Sequence, residues 1–199
     1  MKSTKTRNLT LSAILAAFIF LFGLTPLGLI PLGFINVTIL VLPVIIGTLS
    51  LGLGHGLVLG FFFGLVSLMS VLGLSMTPPS ALAGTLLAAS PVLAIVMCFL
   101  PRLLVPVFAH LAYNLMERLA GRRVAIPVSA AIGSLTNTVF YLGLMYLFYQ
   151  FAALDVTKVV NLILGVAFIA GASEAAVSAI LSFPIMMALD KLQKRQGTP

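Results

Sequence analysis

Six stretches of this sequence, at 9–29, 36–54, 57–76, 81–116, 124–153 and 159–189, contain a single arginine and a single glutamate between them. Each is close to or beyond the roughly 20 apolar residues that carry a helix across a bilayer core. In hydrocarbon every backbone N–H and C=O must be paired, and a helix pairs them within one segment. With 61% hydrophobic and 8% charged residues, against about 25% charged in soluble domains, the chain has too little polar surface to sit in water. The expectation is an all-α integral membrane protein, one domain over residues 1–199, with the lipid bilayer as its first partner. The formal net charge of +7 does not indicate nucleic acid. The basic residues gather at the ends of the apolar runs, where they orient a membrane protein.

The fourth run is too long for one upright helix and short for two, and charge decides between these. Lys2, Lys5 and Arg7 precede the first run, Arg118, Arg122 and Arg123 separate the fourth from the fifth, and Lys191, Lys194 and Arg195 follow the last. Six spans put all three clusters on one side, which the positive-inside bias makes the cytoplasm. Seven would scatter them. Six transmembrane helices with both termini cytoplasmic are therefore predicted, the fourth over about 92–117, and the basic N-terminus is read as the start of a retained first span rather than a cleaved leader. The stretch LSMTPPSALAGTLLAAS becomes an outer loop with a short helix. LFGLTPLGLIPLGFINVT becomes an apolar, uncharged outer loop between helices 1 and 2, broken by Gly and Pro and suited to closing over something as a lid.

Small residues recur at helical spacing. Gly52, Gly56, Gly60 and Gly64 would let a neighbouring backbone approach closely, and Gly171, Ala175 and Ala179 repeat the pattern in the last span. Ala13 and Ala17 form a similar strip low in the first helix, where an outside partner could reach it. His55 reads as a polar turn residue. The lone cysteine, Cys98, leaves no internal disulfide and no metal spacing.

Polar groups at depth are the informative exceptions. Arg102 lies sixteen residues before Arg118, so about 24 Å from that end at 1.5 Å per residue. Ser134, Asn137 and Tyr141 share one face of the fifth span, and Glu174 sits in the middle of the sixth. Two readings are open: a structural Arg102–Glu174 pair with Asn137 as interhelical glue, or a pocket opening outward, since ionisable groups within a membrane mark substrate paths. An arginine there can hold a carboxylate with two parallel hydrogen bonds. Nucleophile elbows, His pairs and phosphate loops are missing from the sequence, so no enzyme chemistry and no cofactor or metal is expected. Two rivals are a lipid-modifying enzyme built on His110, Glu117 and Arg118, and a proton-coupled carrier using Glu174.

Taken together, LSAILAA, PLGFINVTILVLPVIIGTLSLGLGHGLVLGFFFGL, LPRLLV, GSLTNTVFYLGLMYL and SEAAVSAIL resemble the substrate-binding S components of energy-coupling factor (ECF) vitamin transporters, and among them the pantothenate type. The resemblance covers essentially the whole chain. It implies capture of a vitamin on the outer side of a prokaryotic plasma membrane and delivery through a transmembrane T component and two cytoplasmic ATPases, which hydrolyse ATP in its place. It implies a site between the first outer loop and spans four to six. Substrate-binding candidates are therefore Asn36, Thr38, Arg102, Asn137, Tyr141 and Glu174, and Ala13 and Ala17 match the surface that docks the T component. The segment INVTI departs from relatives that carry a lysine or histidine there, which leaves riboflavin, a pyridoxine-like or a pyrimidine compound as alternatives to pantothenate.

Overall fold

The computed structural model describes residues 2–31, 36–78 and 80–195. Helix α1 (Lys2–Leu24) leads through a 3-10 turn (Pro26–Gly28) into a two-stranded antiparallel hairpin, β1 (Leu29–Pro31) with β2 (Asn36–Thr38), in the register Leu29↔Thr38 and Pro31↔Asn36. Then come α2 (Val41–Leu51), α3 (Leu53–Val71), a short α4 (Ala81–Ala89), and the long antiparallel pair α5 (Pro91–Ala120) and α6 (Arg122–Phe151). The last helical rod is α7 (Thr157–Leu162), one π-helical turn (Ile163–Ala167) and α8 (Phe168–Arg195) in unbroken succession. Among the described residues, five helices are long and apolar enough to cross a membrane: α1, α3, α5, α6 and α8. Their outward faces carry large apolar side chains, such as Val139 at 64% and Phe168 at 80% exposure, a surface suited to lipid rather than water.

The second expected span is where sequence and structure part. In place of a helix over 36–54, residues 36–38 form a strand and α2 has 11 residues, about 17 Å long against a hydrocarbon core of roughly 30 Å. Val41 to Thr48 are all buried, and α1, α3, α5, α6 and α8 pack around α2. The apolar run thus faces protein, not lipid. In the first outer loop the described residues 29–31 and 36–38 pair as strands, which β-branched Val37 and Thr38 suit, so the all-α expectation acquires a hairpin. The expected short helix in the second outer loop is α4, fastened by Tyr149, whose hydroxyl donates to the Leu82 carbonyl at 2.6 Å.

Glycine sets the packing of α3. Gly52, at φ 93°, makes the single-residue joint between α2 and α3, a backbone conformation open to residues without a Cβ. The remaining stripe faces α5. A Cβ on Gly60 would stand 2.6 Å from the Arg102 carbonyl oxygen, and one on Gly64 would meet the Phe99 ring at 2.6 Å. The Arg102 carbonyl is also the one that Pro106, lacking an N–H, leaves without its helical donor. Gly171 similarly lets α8 approach Thr138 of α6.

Among the described residues, buried apolar side chains form two clusters. One holds α1, α2 and α3 against Val105, Ala130 and Met186; the other holds α4 against Met97, Met145 and Val159. Each of α5, α6 and the α7–α8 rod runs from one cluster to the other, and Arg102, Asn137 and Glu174 fall in the gap between them. At the end away from the hairpin, Arg122 donates to both oxygens of Asp190, each at 2.8 Å, and to the Tyr113 hydroxyl at 3.0 Å. Tyr113 in turn donates to Glu117 at 2.7 Å, so α5, α6 and α8 are stapled together there. Ser12 of α1 and His55 of α3 share a hydrogen bond of 2.9 Å, which gives the histidine a packing role.

Candidate functional site

Arg102 is bracketed by Pro101 and Pro106 inside α5 and is 7% exposed. Its Nη1 donates to the Met97 carbonyl at 3.0 Å. Its guanidinium carbon lies 4.5 Å from the centroid of the Tyr141 ring and 5.3 Å from that of Phe63, within the range of cation–π attraction. No acidic side chain neutralises it among the described residues, and its Nε is buried without a hydrogen-bond partner.

Glu174 is engaged elsewhere. Its Oε1 accepts the Thr38 backbone N–H at 3.0 Å and the Thr38 hydroxyl at 2.8 Å, tying β2 to α8. Of the two readings left open by the sequence, a direct Arg102–Glu174 ion pair is therefore not the arrangement found: among the described residues the one ion pair is Arg122–Asp190. Between the two groups lies space. A cavity of about 320 Å³ is bounded by Thr38, Arg102, Asn137, Tyr141 and Glu174, with Ser67, Ser70 and Gly171 completing much of the wall. A second, of about 190 Å³, shares Thr38, Ser67, Ser70, Arg102 and Asn137 and extends beneath the hairpin toward Phe22, Thr25 and Thr77.

Five of the six substrate-site candidates, Thr38, Arg102, Asn137, Tyr141 and Glu174, thus border one cavity. Asn36 opens β2, and its side chain lies outside the described residues. Ser134 is buried one turn from Asn137 with its hydroxyl unpartnered, as is the Asn137 Oδ1. The α3 residues Phe63, Ser67 and Ser70 escaped sequence reasoning. Their spacing of four and three on one helical face was available, but serine is common inside membrane helices, where its hydroxyl can bond to its own backbone. Ala13 and Ala17 are exposed on α1. Of the rival enzyme residues, Glu117 is engaged by Tyr113 and His110 shares a 3.0 Å bond with Asn114 on its own helix.

What the arrangement offers chemically is a cationic, two-pronged donor at the wall of a mixed polar and aromatic cavity, with hydroxyl and amide groups around it and no nucleophile–base pair. Residues 7–189 match the family model of the ECF transporter, substrate-specific component. The chain is also 30% identical over 159 residues to the pantothenic acid transporter PanT of Lactococcus lactis subsp. cremoris (strain MG1363), a match covering 75% of this chain and 77% of that protein. The extent of the family match, the apolar helices and the relative agree: this chain is a membrane protein belonging to the substrate-specific components of ECF transporters.

Proposed function

We propose that the protein is the substrate-capture subunit of an ATP-driven vitamin importer and that its vitamin is pantothenate. The observation that carries the reading is Arg102, a buried guanidinium at a cavity wall with no carboxylate of the described residues paired with it. A ligand carboxylate completes the site, and a buried charge without a partner is otherwise costly. The likeness to PanT supports the choice of pantothenate. So does size: a cavity of about 320 Å³ is at the small end of ligand sites, which run from about 300 to 1,000 Å³, and suits a compact acid better than a flavin. In this reading Arg102 holds the carboxylate, Asn137 and Tyr141 bind hydroxyl or amide groups, and the hairpin, held by Thr38 to Glu174, closes the site.

The same reading takes residues 1–199 as one membrane domain in a prokaryotic plasma membrane. Six helices enter the membrane, α2 as a short one enclosed by the rest, with both termini cytoplasmic. A transmembrane T component docks on Ala13 and Ala17 of α1, and two cytoplasmic ATPases supply the energy. The protein itself catalyses no reaction. Calorimetry of the purified subunit in detergent tests the proposal: heat of pantothenate binding without ATP is expected. Silence with pantothenate, together with clear binding of an uncharged vitamin, overturns it.

A further inference from the structure

An arginine side chain has many rotamers, and a ligand that needs it in one of them loses affinity by ordering it. The structure shows what orders Arg102. In an α-helix the carbonyl of residue 97 accepts the N–H of residue 101, and residue 101 is proline, which has none. The Met97 carbonyl therefore has no helical donor, deep among side chains where an unpaired acceptor is costly. The Arg102 Nη1 donates to it at 3.0 Å. That bond fixes the far end of the side chain, and the Tyr141 and Phe63 rings, 4.5 and 5.3 Å from the guanidinium carbon, hold its plane. The backbone of the same residue is set by the second proline: Pro106 vacates the Arg102 carbonyl, and Gly60 closes against it.

We propose that Pro101 is a positioning residue for ligand selection, acting through Arg102: by withholding its N–H it hands the Met97 carbonyl to the guanidinium and so aims the remaining donors at a carboxylate in the cavity. The proposal rests on the reading of Arg102 as the carboxylate-binding group. Pro101 is then less a helix kink than the device that makes the site acid-selective.

The test is Pro101→Ala in the full-length purified chain. Alanine restores an N–H that recaptures the Met97 carbonyl and releases the guanidinium, while the helix itself gains a donor and the melting temperature holds or rises. Pantothenate affinity is expected to fall by about tenfold, the low end for losing a hydrogen bond to a charged group. Affinity for pantothenol, in which an alcohol replaces the carboxylate, is expected to change little, so the preference for the acid collapses. In the Arg102→Ala background the same proline change should cost nothing further. An unchanged acid-to-alcohol preference, equal losses for both ligands, or additive losses in the double variant each overturns the proposal. A ligand-free arm separates this from failure of the vitamin assignment. In protein with ¹⁵N-labelled arginine, the Arg102 Nη signals, assigned with Arg102→Lys, should be resolved by hindered rotation and should average in Pro101→Ala. If the unmodified protein binds no pantothenate, the assignment of the vitamin fails and this arm still decides the tether: averaged signals already present in the unmodified protein sink it.

Discussion

The guanidinium of Arg102, a residue 7% exposed, meets aromatic faces and one backbone oxygen and, among the described residues, no acid, which in the proposed reading leaves it for a ligand carboxylate. Replacing Arg102 by alanine should cost roughly 2–5 kcal/mol of pantothenate binding, the usual penalty for truncating one side of a buried charge pair. Lysine should recover little, because a point charge cannot reproduce the planar fork; calorimetry on the two variants measures both. Glu174 makes a different prediction. Its Oε1 holds two donors of Thr38, and each hydrogen bond to a charged group is worth about 1.5–3 kcal/mol. Glu174→Ala should therefore speed amide exchange in the 36–40 segment by roughly tenfold or more, whereas Glu174→Gln, which keeps an acceptor oxygen, should protect it in large part. Hydrogen–deuterium exchange read by mass spectrometry distinguishes the two. These residues could be singled out in the sequence because a charge or an amide in an apolar run is conspicuous. Ser67, Ser70 and Phe63 could not, since a cavity wall and a lipid-facing helix use the same residues. The partners of Arg102 and Glu174 depend on depth and rotation of separate helices, which no single run encodes.

At the level of elements, the positions of the long helices followed from the length of the apolar runs, with α5 found at 91–120 where about 92–117 was expected. Hydropathy failed at α2 for a physical reason: it sums transfer from water and is blind to whether the apolar side chain then meets lipid or protein. The π-helical turn in the last rod leaves no mark in composition at all. The glycine stripe was legible as a close approach, and the structure gives it an address on α5. Gly60→Ala places a methyl 2.6 Å from the Arg102 carbonyl oxygen, a backbone atom that cannot swing aside, so α3 and α5 must part. A loss of about 1–3 kcal/mol is expected, as for overpacking elsewhere, with weaker ligand binding because Arg102 moves with α5. Gly143→Ala, where nothing lies within 4 Å of the new methyl, should be harmless. Thermal melts of the pair in the same detergent decide.

For the molecule as a whole, the two apolar clusters and the staple at Arg122 and Asp190 hold the helices to one another, while α1 offers an exposed small-residue strip at Ala13 and Ala17. Bulk on that strip should block a second helix from coming close and leave the distant cavity alone. Ala13→Trp and Ala17→Trp are expected to bind pantothenate normally as solitary subunits and to fail in pull-down of the T component and in uptake. Loss of both functions, or of neither, would show that the strip packs otherwise. The short α2 has a consequence for biosynthesis. An 11-residue segment is too short to be retained by the insertion machinery on its own hydrophobicity, and Gly52 joins it directly to α3. In the six-helix reading the two enter the bilayer together as a helical hairpin, and three of the helices that enclose α2, namely α5, α6 and α8, are translated only afterwards. Until the last third of the chain leaves the ribosome, α2 has no finished seat, so its placement is an event of late assembly rather than of insertion.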